Sequence, residues 1–428
     1  MMNFNAIHQA VRNRFVRLTP GQLVIQTTDK CNATCPQCSM RVTRNFKRHS
    51  LDPDLVLKTI DTAPSLGIKA ISFTGGEPFL LKQHLYDYIE RAGRNRIPFI
   101  RTGTNGFFFT NSGKPGFSDR IRQIADRLAA TPIRNFWISI DSCDPRIHDQ
   151  MRGFHNMFDG ISKALPIFES VGIYPSVNLG INRNVGAALT QEISRDDYAN
   201  EPAYEKALCL AYGKAFSKFY KTVIDLGFTI ANACYPMSID TDSCELDPVY
   251  QASASDRIVR FTRTEKKAVF SALKQTIPKF RDQIRIFSPR VALHALIKEY
   301  NGESDTSYPC QGGINYFFMD AESGHTFPCG YRGQDNFGRF IDLDKSFQPA
   351  GYSCRRCDWE CFRDPSELAG PVIDLVTAPH RLLKRMISDP AHLRLWAADL
   401  LYYRACDYFD GRTPPDFKKM APFKTDSL

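Results

Sequence analysis

Cys31-Asn-Ala-Thr-Cys35-Pro-Gln-Cys38 is a CxxxCxxC loop that follows directly on an apolar, β-rich run, Leu23-Val-Ile-Gln-Thr-Thr28. Three thiolates this close in sequence can converge on one metal centre. A [4Fe–4S] cluster held by three protein sulfurs keeps one iron open, whereas a structural zinc asks for a fourth protein ligand. The next candidate ligand, His49, lies well downstream with no turn signal to bring it back. The spacing therefore favours a cluster with a free iron. A second stretch supports it. Ala70-Ile-Ser-Phe-Thr74 reads as a buried strand running into Gly75-Gly76-Glu77-Pro78. Two glycines at a strand end let the backbone approach a ligand closely.

CxxxCxxC after one strand and GGEP after the next resemble the radical S-adenosylmethionine (SAM) superfamily. The resemblance implies a [4Fe–4S] cluster on Cys31, Cys35 and Cys38, with its open iron taking the amino and carboxylate groups of SAM. It also implies that Gly75, Gly76, Glu77 and Pro78 approach the methionine amino group. One position departs from the family pattern. The residue before the third cysteine is usually aromatic there, and here it is Gln37.

Composition sets the outer bounds. At 428 residues more than one domain is expected, and the hydrophobic and charged fractions are those of a soluble globular chain. The net charge of +9 is spread along the chain and does not call for nucleic acid. An anionic substrate or an anionic membrane surface is equally compatible. The thirteen cysteines cluster by spacing, and Met1 to Pro20 is polar and basic with no apolar signal core. The expectation is a reducing, cytoplasmic setting in which clustered cysteines are metal ligands and not disulfides. No apolar run is long enough to span a bilayer.

From Leu23 to Ala233 strands alternate with helices. The expected strands are Leu23–Thr28, Ala70–Thr74, Pro98–Gly103, Phe136–Ile140, Tyr174–Ile181 and Phe228–Ala233. The expected helices are Pro53–Leu66, Leu81–Arg94, Ser118–Ala129, Met157–Ser170 and Ala203–Leu226. Repeated βα units predict a parallel sheet with helices outside. With the resemblance, the fold class is α/β: a partial (β/α)6 TIM-like barrel, then a small α+β cysteine-rich domain and a helical tail. Ligands in such barrels sit at the C-terminal strand ends, where these motifs fall. The domains are read as a lead (1–20), the barrel (21–236), a helical connector (237–304), the cysteine-rich domain (305–368) and the tail (369–428).

Within the barrel, Thr104-Asn105-Gly106 is a turn signal, and Asn105 is either plain turn chemistry or a SAM contact. The fourth strand, Phe136-Trp-Ile-Ser139-Ile-Asp141-Ser, is followed by Ile147-His148-Asp149-Gln-Met-Arg152-Gly153. Alternation puts Ser139 and Asp141 on one face and Ile138 and Ile140 on the other. The string resembles a segment of radical SAM enzymes that carry a SPASM or twitch extension. That resemblance implies that Ser139 contacts the SAM ribose and that Arg152 pairs with the SAM carboxylate, as a guanidinium fork can. A surface ion pair is the plainer role for Arg152. Asp141 is a candidate substrate contact, and His148 and Asp149 are read as holding the next helix. Asn178 and Asn182, with Gly180 between them, share a face of the fifth strand. Either can bind ribose or substrate, or serve structure. Cys234-Tyr235-Pro236, after the sixth strand, lies where family members offer backbone to adenine.

Cys143, Cys209, Cys234, Cys244 and Cys406 lie outside the ligand clusters, and a free cysteine is most often a small buried hydrophobe. Cys143 and Cys234 follow barrel strands and are candidate hydrogen-atom donors to a substrate radical. Beyond Met237 the βα rhythm stops, 238–250 reads as an acidic loop, and a helix starts at Thr264. In the second domain, Asn315–Asp320 and His325–Pro328 read as a hairpin around Ala321-Glu-Ser-Gly324, with Cys310 and Cys329 at its ends. Cys354-Arg-Arg-Cys357-Asp-Trp-Glu-Cys361 follows. The set resembles a twitch-like auxiliary domain with a second [4Fe–4S] cluster. Its ligands are Cys310, Cys329, Cys354 and Cys357, with Cys361 as the alternative fourth. Zinc is the competing metal for four thiolates. The tail is read as helices broken at Pro365, Pro371, Pro379 and Pro390. Leu393–Tyr403 either packs over the second domain or contacts a membrane surface. Pro414 to Leu428 is expected to be loosely held.

The function these readings imply is reductive cleavage of SAM to a 5′-deoxyadenosyl radical that removes a hydrogen atom from a substrate carbon. A small molecule such as a sugar, nucleoside or lipid-linked compound is slightly preferred, because only about thirty residues precede Cys31, too few for a peptide-binding domain. The alternatives are a peptide or protein maturase and a non-catalytic metal scaffold. A flavodoxin or ferredoxin is the expected reductant, and nucleic acid is not an expected partner. Arg41 to Arg48, basic with Phe46, reads as a cover over the active site.

Overall fold

The computed structural model describes residues 19–38, 48–236, 246, 247, 249, 257–344, 347 and 354–424. Most of the N-terminal lead, Cys244, most of the 238–250 loop and 41–47 of the basic cover fall outside them.

The barrel elements arise where alternation and capping residues put them. Strand β1 (Gly21–Thr28) is buried along its whole length. Helix α1 (Pro53–Thr62) starts on Asp52, whose side chain accepts from the Asp54 N–H, with Pro53 in the first turn. It leads to β2 (Ile68–Gly75), α2 (Gln83–Arg94), β3 (Phe99–Thr104), α3 (Phe117–Ala129) and β4 (Asn135–Ile140). A short helix, α4 (Pro145–Arg152), is capped by Asp144 and stopped by Gly153 in the left-handed region. Then come α5 (Met157–Glu169), β5 (Ser176–Gly180), α6 (Glu201–Leu226) and β6 (Ile230–Cys234).

Strands β1 to β6 pair in chain order and in parallel. The α/β partial barrel is thus the architecture, but the sheet is longer than six strands. In the connector, α7 (Arg263–Thr276) opens with a reciprocal Thr262–Glu265 capping box. Then β7 (Arg285–Ile286) adds in parallel to β6, and α8 (Arg290–Tyr300) follows. At the other edge β8 (Tyr316–Met319) pairs in parallel with β1 and forms a hairpin with β9 (Thr326–Phe327). The resulting order is β7-β6-β5-β4-β3-β2-β1-β8-β9, an open curve. The second domain is therefore not merely adjacent to the barrel, because its hairpin continues the barrel sheet. Burial on both sides explains why β1 reads as a continuous apolar run.

Three tail expectations change. Pro365 and Pro371 lie inside one helix, α9 (Glu360–Thr377), which runs across the 368 boundary. Pro379 and Pro390 do mark breaks as expected, standing in the first turns of α10 (Pro379–Ser388) and α11 (Pro390–Ala405), where the missing N–H has no helical partner to lose. Helix α11 packs on the connector, where buried Asp399 pairs with Arg281 and accepts from the Val291 N–H. It also packs over the second domain as read, where His392 bonds Glu367 and Trp396 donates to the Leu368 carbonyl. Residues 414–424 are held, since Met420 is fully buried with Ile230, Tyr402 and Phe409. Just upstream, Arg285 donates to the carbonyls of Asp410 and Thr413, and Gly411 bonds to Arg134 and Tyr174. This end of the tail thus crosses the N-terminal ends of the strands. The apolar surface left open lies on Leu375, Val376, Leu383, Met386 and Ile387, mostly on α10, more than on Leu393–Tyr403. No helix among the described residues is long and apolar enough to cross a membrane.

Candidate active site

The Cys31–Cys38 loop sits at the C-terminal end of β1 and is fastened by the ends of β2 and β3 and by the C-terminus of α4. Gly76 N–H donates to the Thr28 carbonyl and Glu77 N–H to that of Lys30. A Cβ on Gly76 would fall 2.2 Å from the Lys30 oxygen, so glycine is what allows this approach. The Asn105 amide donates to Cys31 Sγ at 3.5 Å and to the Asn32 side chain at 2.8 Å. Thr34 N–H donates to the Arg152 carbonyl, and a Cβ on Gly153 would strike the Thr34 hydroxyl. The GGEP, TNG and RG signals all turn out to position this loop. Cys31 is exposed, Cys35 buried and Cys38 intermediate. Burial pushes the Cys35 thiol up to about 12, and the Arg152 guanidinium pulls against it.

Glu77 points inward. It is fully buried and accepts from the N–H groups of Asn105 at 2.6 Å and Phe79 at 3.1 Å, and from the Thr104 hydroxyl at 3.2 Å. Burial raises its carboxyl to about 7 despite these donors. It ties the end of β2 to the end of β3.

Arg152 is not on the surface. It grips Asp141 bidentately, at 2.6 and 2.8 Å, and Asp141 is 1% exposed. Both cysteine neighbours Cys35 and Cys38 lie in its field. Asp141 is held further by backbone: its N–H donates to the His148 ring and its carbonyl accepts from Asn182. Asp141 is thus a buried counter-ion, and Asn182, also fully buried, is structural. His148 stays neutral because burial drops its pKa to about 4. Asp149 accepts from the first N–H groups of α5, as expected. Cys143 turns away into the helix-side core, where its thiol meets Lys218 of α6.

The inner wall of the barrel shows on β4. Phe136, Ile138 and Ile140 are buried against helices, while Asn135, Trp137 and Ser139 are partly accessible. The same alternation places Arg101, Asn178, Asn232 and Cys234 inward. Trp137 lies against Gly103, whose Cβ would be 2.1 Å from the indole. Asn178 accepts from Asn232 at 3.1 Å and from the Cys234 thiol at 3.3 Å. Ser139 makes no side-chain hydrogen bond among the described residues. These partly accessible groups face the barrel interior below the cysteine loop, which we term the chamber. Its other wall is the start of α9: Glu360 accepts from Tyr235 N–H at 3.2 Å, and Cys361 lies 3.6 Å from Glu360. The Tyr235 N–H is thereby already used. Sequence reasoning missed Arg101, Trp137, Asn232 and Glu360. A lone arginine inside the strand Phe99-Ile-Arg-Thr-Gly-Thr was the available signal.

In the second domain Cys310, Cys329, Cys354 and Cys357 surround one small cavity, roofed by Trp359 and Phe362. A backbone bridge joins Cys310 to Cys354, and the N–H groups of Gly312 and Tyr331 donate to the sulfurs of Cys310 and Cys329. Cys361 is not among them. It faces Glu360, Arg101 and Cys234. The five candidates thus divide into four convergent thiols and one chamber thiol. Among the described residues no three His, Cys, Asp or Glu side chains are gathered closely enough to hold a single metal ion.

A parallel partial barrel with a three-cysteine loop over its first strand defines a class, and comparison names it. Residues 25–181 match the model of the Radical SAM superfamily, and this segment belongs to it. The AdoMet-dependent heme synthase of Methanosarcina barkeri is 21% identical over 73% of this chain and 77% of its own. A GTP 3′,8-cyclase of Petrotoga mobilis is 30% identical over 38% of this chain, but that alignment spans only 48% of the cyclase. In fold, the chain is similar to Streptococcus suis SuiB bound to the precursor peptide SuiA. The TM-score is 0.50 at 13% identity, covering 82% of this chain and 73% of that one.

Proposed function

We propose that this protein is a radical SAM enzyme acting on a small molecule held in the chamber between barrel and second domain. The observation that carries the reading is the Cys31–Cys38 loop. Three thiols, with no fourth protein ligand beside them among the described residues, stand at a strand end, braced by Asn105 and the Gly76 backbone. That donor set fits a [4Fe–4S] cluster with one open iron. Bound there with SAM, the cluster supplies a 5′-deoxyadenosyl radical.

The chain's own part is orientation and exclusion of water. Gly75 and Gly76 let the Thr28 and Lys30 backbone close on them and so fix the cysteine loop, and Ser139 and Asn178 offer hydrogen bonds from the inner wall. Arg152, locked on Asp141, sets positive charge beside Cys35 and Cys38. Cys234 and Cys361 are the thiols facing the chamber, which keeps Cys234 as the candidate hydrogen-atom donor. Cys310, Cys329, Cys354 and Cys357 fit a second four-thiolate site, with N–H···S bonds that favour thiolate. An auxiliary [4Fe–4S] cluster is the reading, and zinc is the competitor. A low-potential flavodoxin or ferredoxin in the cytoplasm is the proposed reductant. The exposed apolar side chains of α10, with Arg381 and Lys384, are where peripheral membrane contact would fall. A peptide substrate is the second reading, supported by the fold shared with peptide-bound SuiB.

The test is iron and sulfide per chain after anaerobic reconstitution. About eight irons, falling to about four in the Cys31/Cys35/Cys38→Ala variant, support two clusters. About four falling to none, with zinc retained in both, makes the second site structural. No iron in either protein refutes the proposal.

A further inference from the structure

Arg101 stands on the inner face of β3, paired in register with Ser72 of β2. Among the described residues its single hydrogen bond runs from Nε to the Ser72 hydroxyl at 2.8 Å. Four other enclosed arginines are spent on carboxylates, Arg152 on Asp141, Arg183 on Glu265, Arg281 on Asp399 and Arg363 on Glu299, and buried Arg285 is spent on the carbonyls of Thr229, Asp410 and Thr413. Arg101 holds none, although protein surrounds it closely enough that burial pulls its guanidinium below its usual value. The groups nearest its charge are Cys361, Cys234 and Glu360. Burial raises the thiols of Cys361 and Cys234 well above their usual value and raises the Glu360 carboxyl. Glu360 spends one oxygen on Tyr235 N–H and makes no ion pair with Arg101. The residue remains partly accessible, so the free edge of the fork opens on the chamber. An enclosed, unpaired guanidinium with two outward N–H pairs is costly unless an anion completes it.

We infer that Arg101 is the docking point for an anionic group of the substrate, a carboxylate or a phosphate. It lies three residues before Thr104, so this anchor sits roughly 10 Å down the strand from the end that carries the cysteine loop. That separates it from Arg152 beside the cysteines. The substrate would span from the anchor to the radical's end of the chamber. The inference rests on the chamber reading above.

The test is calorimetric titration of the reconstituted holoenzyme with inorganic phosphate and, separately, with acetate, both at constant ionic strength. The wild type should show one saturable site, and the better anion identifies the group. Arg101→Met should weaken it at least tenfold, and Arg101→Lys should weaken it less, since it keeps the charge without the fork. Iron content and Tm of each variant check its folding, and Arg101→Lys serves if Arg101→Met fails to fold. No saturable site in the wild type, or the same isotherm in both variants, overturns the inference. So does loss of the phosphate site on saturation with SAM, which would give Arg101 to the cofactor's carboxylate. Deoxyadenosine formation by the wild type is measured alongside. Its absence removes the enzyme reading, while the anion isotherm still decides the binding site.

Discussion

Glu77→Gln tests the account of the GGEP turn. In the folded protein Glu77 keeps its proton to about pH 7 because it is buried, against 4.5 for an ordinary glutamate. The folded state therefore binds more protons than the unfolded state between these values. Its stability contribution is greatest below pH 4.5 and falls as pH climbs through the window. The gap corresponds to about 3 kcal/mol, with no discount for solvent because the side chain is fully enclosed. About 2 kcal/mol of it falls between about pH 5.5 and pH 7.5. Glutamine cannot titrate. Its amide adds an offset against the Phe79 and Asn105 donors, but one that does not change with pH. Unfolding by urea, followed by fluorescence at several pH values, gives both curves, and titrations elsewhere cancel in their difference. The wild type should lose about 2 kcal/mol relative to Glu77→Gln over that range. Parallel curves, or a wild type that gains on the variant as pH rises, would refute the reasoning.

Three other outcomes follow from the geometry. Cys361→Ser should retain the iron of the second site, while Cys354→Ser should lose it; equal losses would return Cys361 to the ligand set. Arg152→Met strands the buried Asp141 carboxylate and should cost about 3–5 kcal/mol of stability, partly recovered by adding Asp141→Asn; a loss below about 1 kcal/mol would show the pair to be solvated. Gly76→Ala drives a methyl into the Lys30 carbonyl and should displace the cysteine loop, lowering first-cluster iron with the second site intact; full iron would mean the loop yields without cost.

The strands and helices of the barrel were legible to within two residues, except that α1 ends at Thr62 and not at Leu66, because alternation, Asp52 and Asp144 caps and Gly153 and Gly227 stops are local signals. What was not legible depends on distant partners. Nothing local in Tyr316–Met319 says that it pairs with β1, and two-residue β7 has no period to read. The spacing of Cys354, Cys357 and Cys361 cannot tell that the third thiol turns away from the first two. The first turn of the helix decides it. Asp141 and Arg152 were singled out separately, yet they complete each other. Arg101 went unnoticed because one charge inside an apolar strand carries no pattern, and only the enclosure shows that it lacks a partner.

The central claim is most directly tested by incubating the reconstituted protein with SAM and dithionite without oxygen and measuring 5′-deoxyadenosine. The account predicts deoxyadenosine from the wild type and none from the Cys31/Cys35/Cys38→Ala variant. Equal amounts from both, or none from a wild type that carries its full iron, would contradict it.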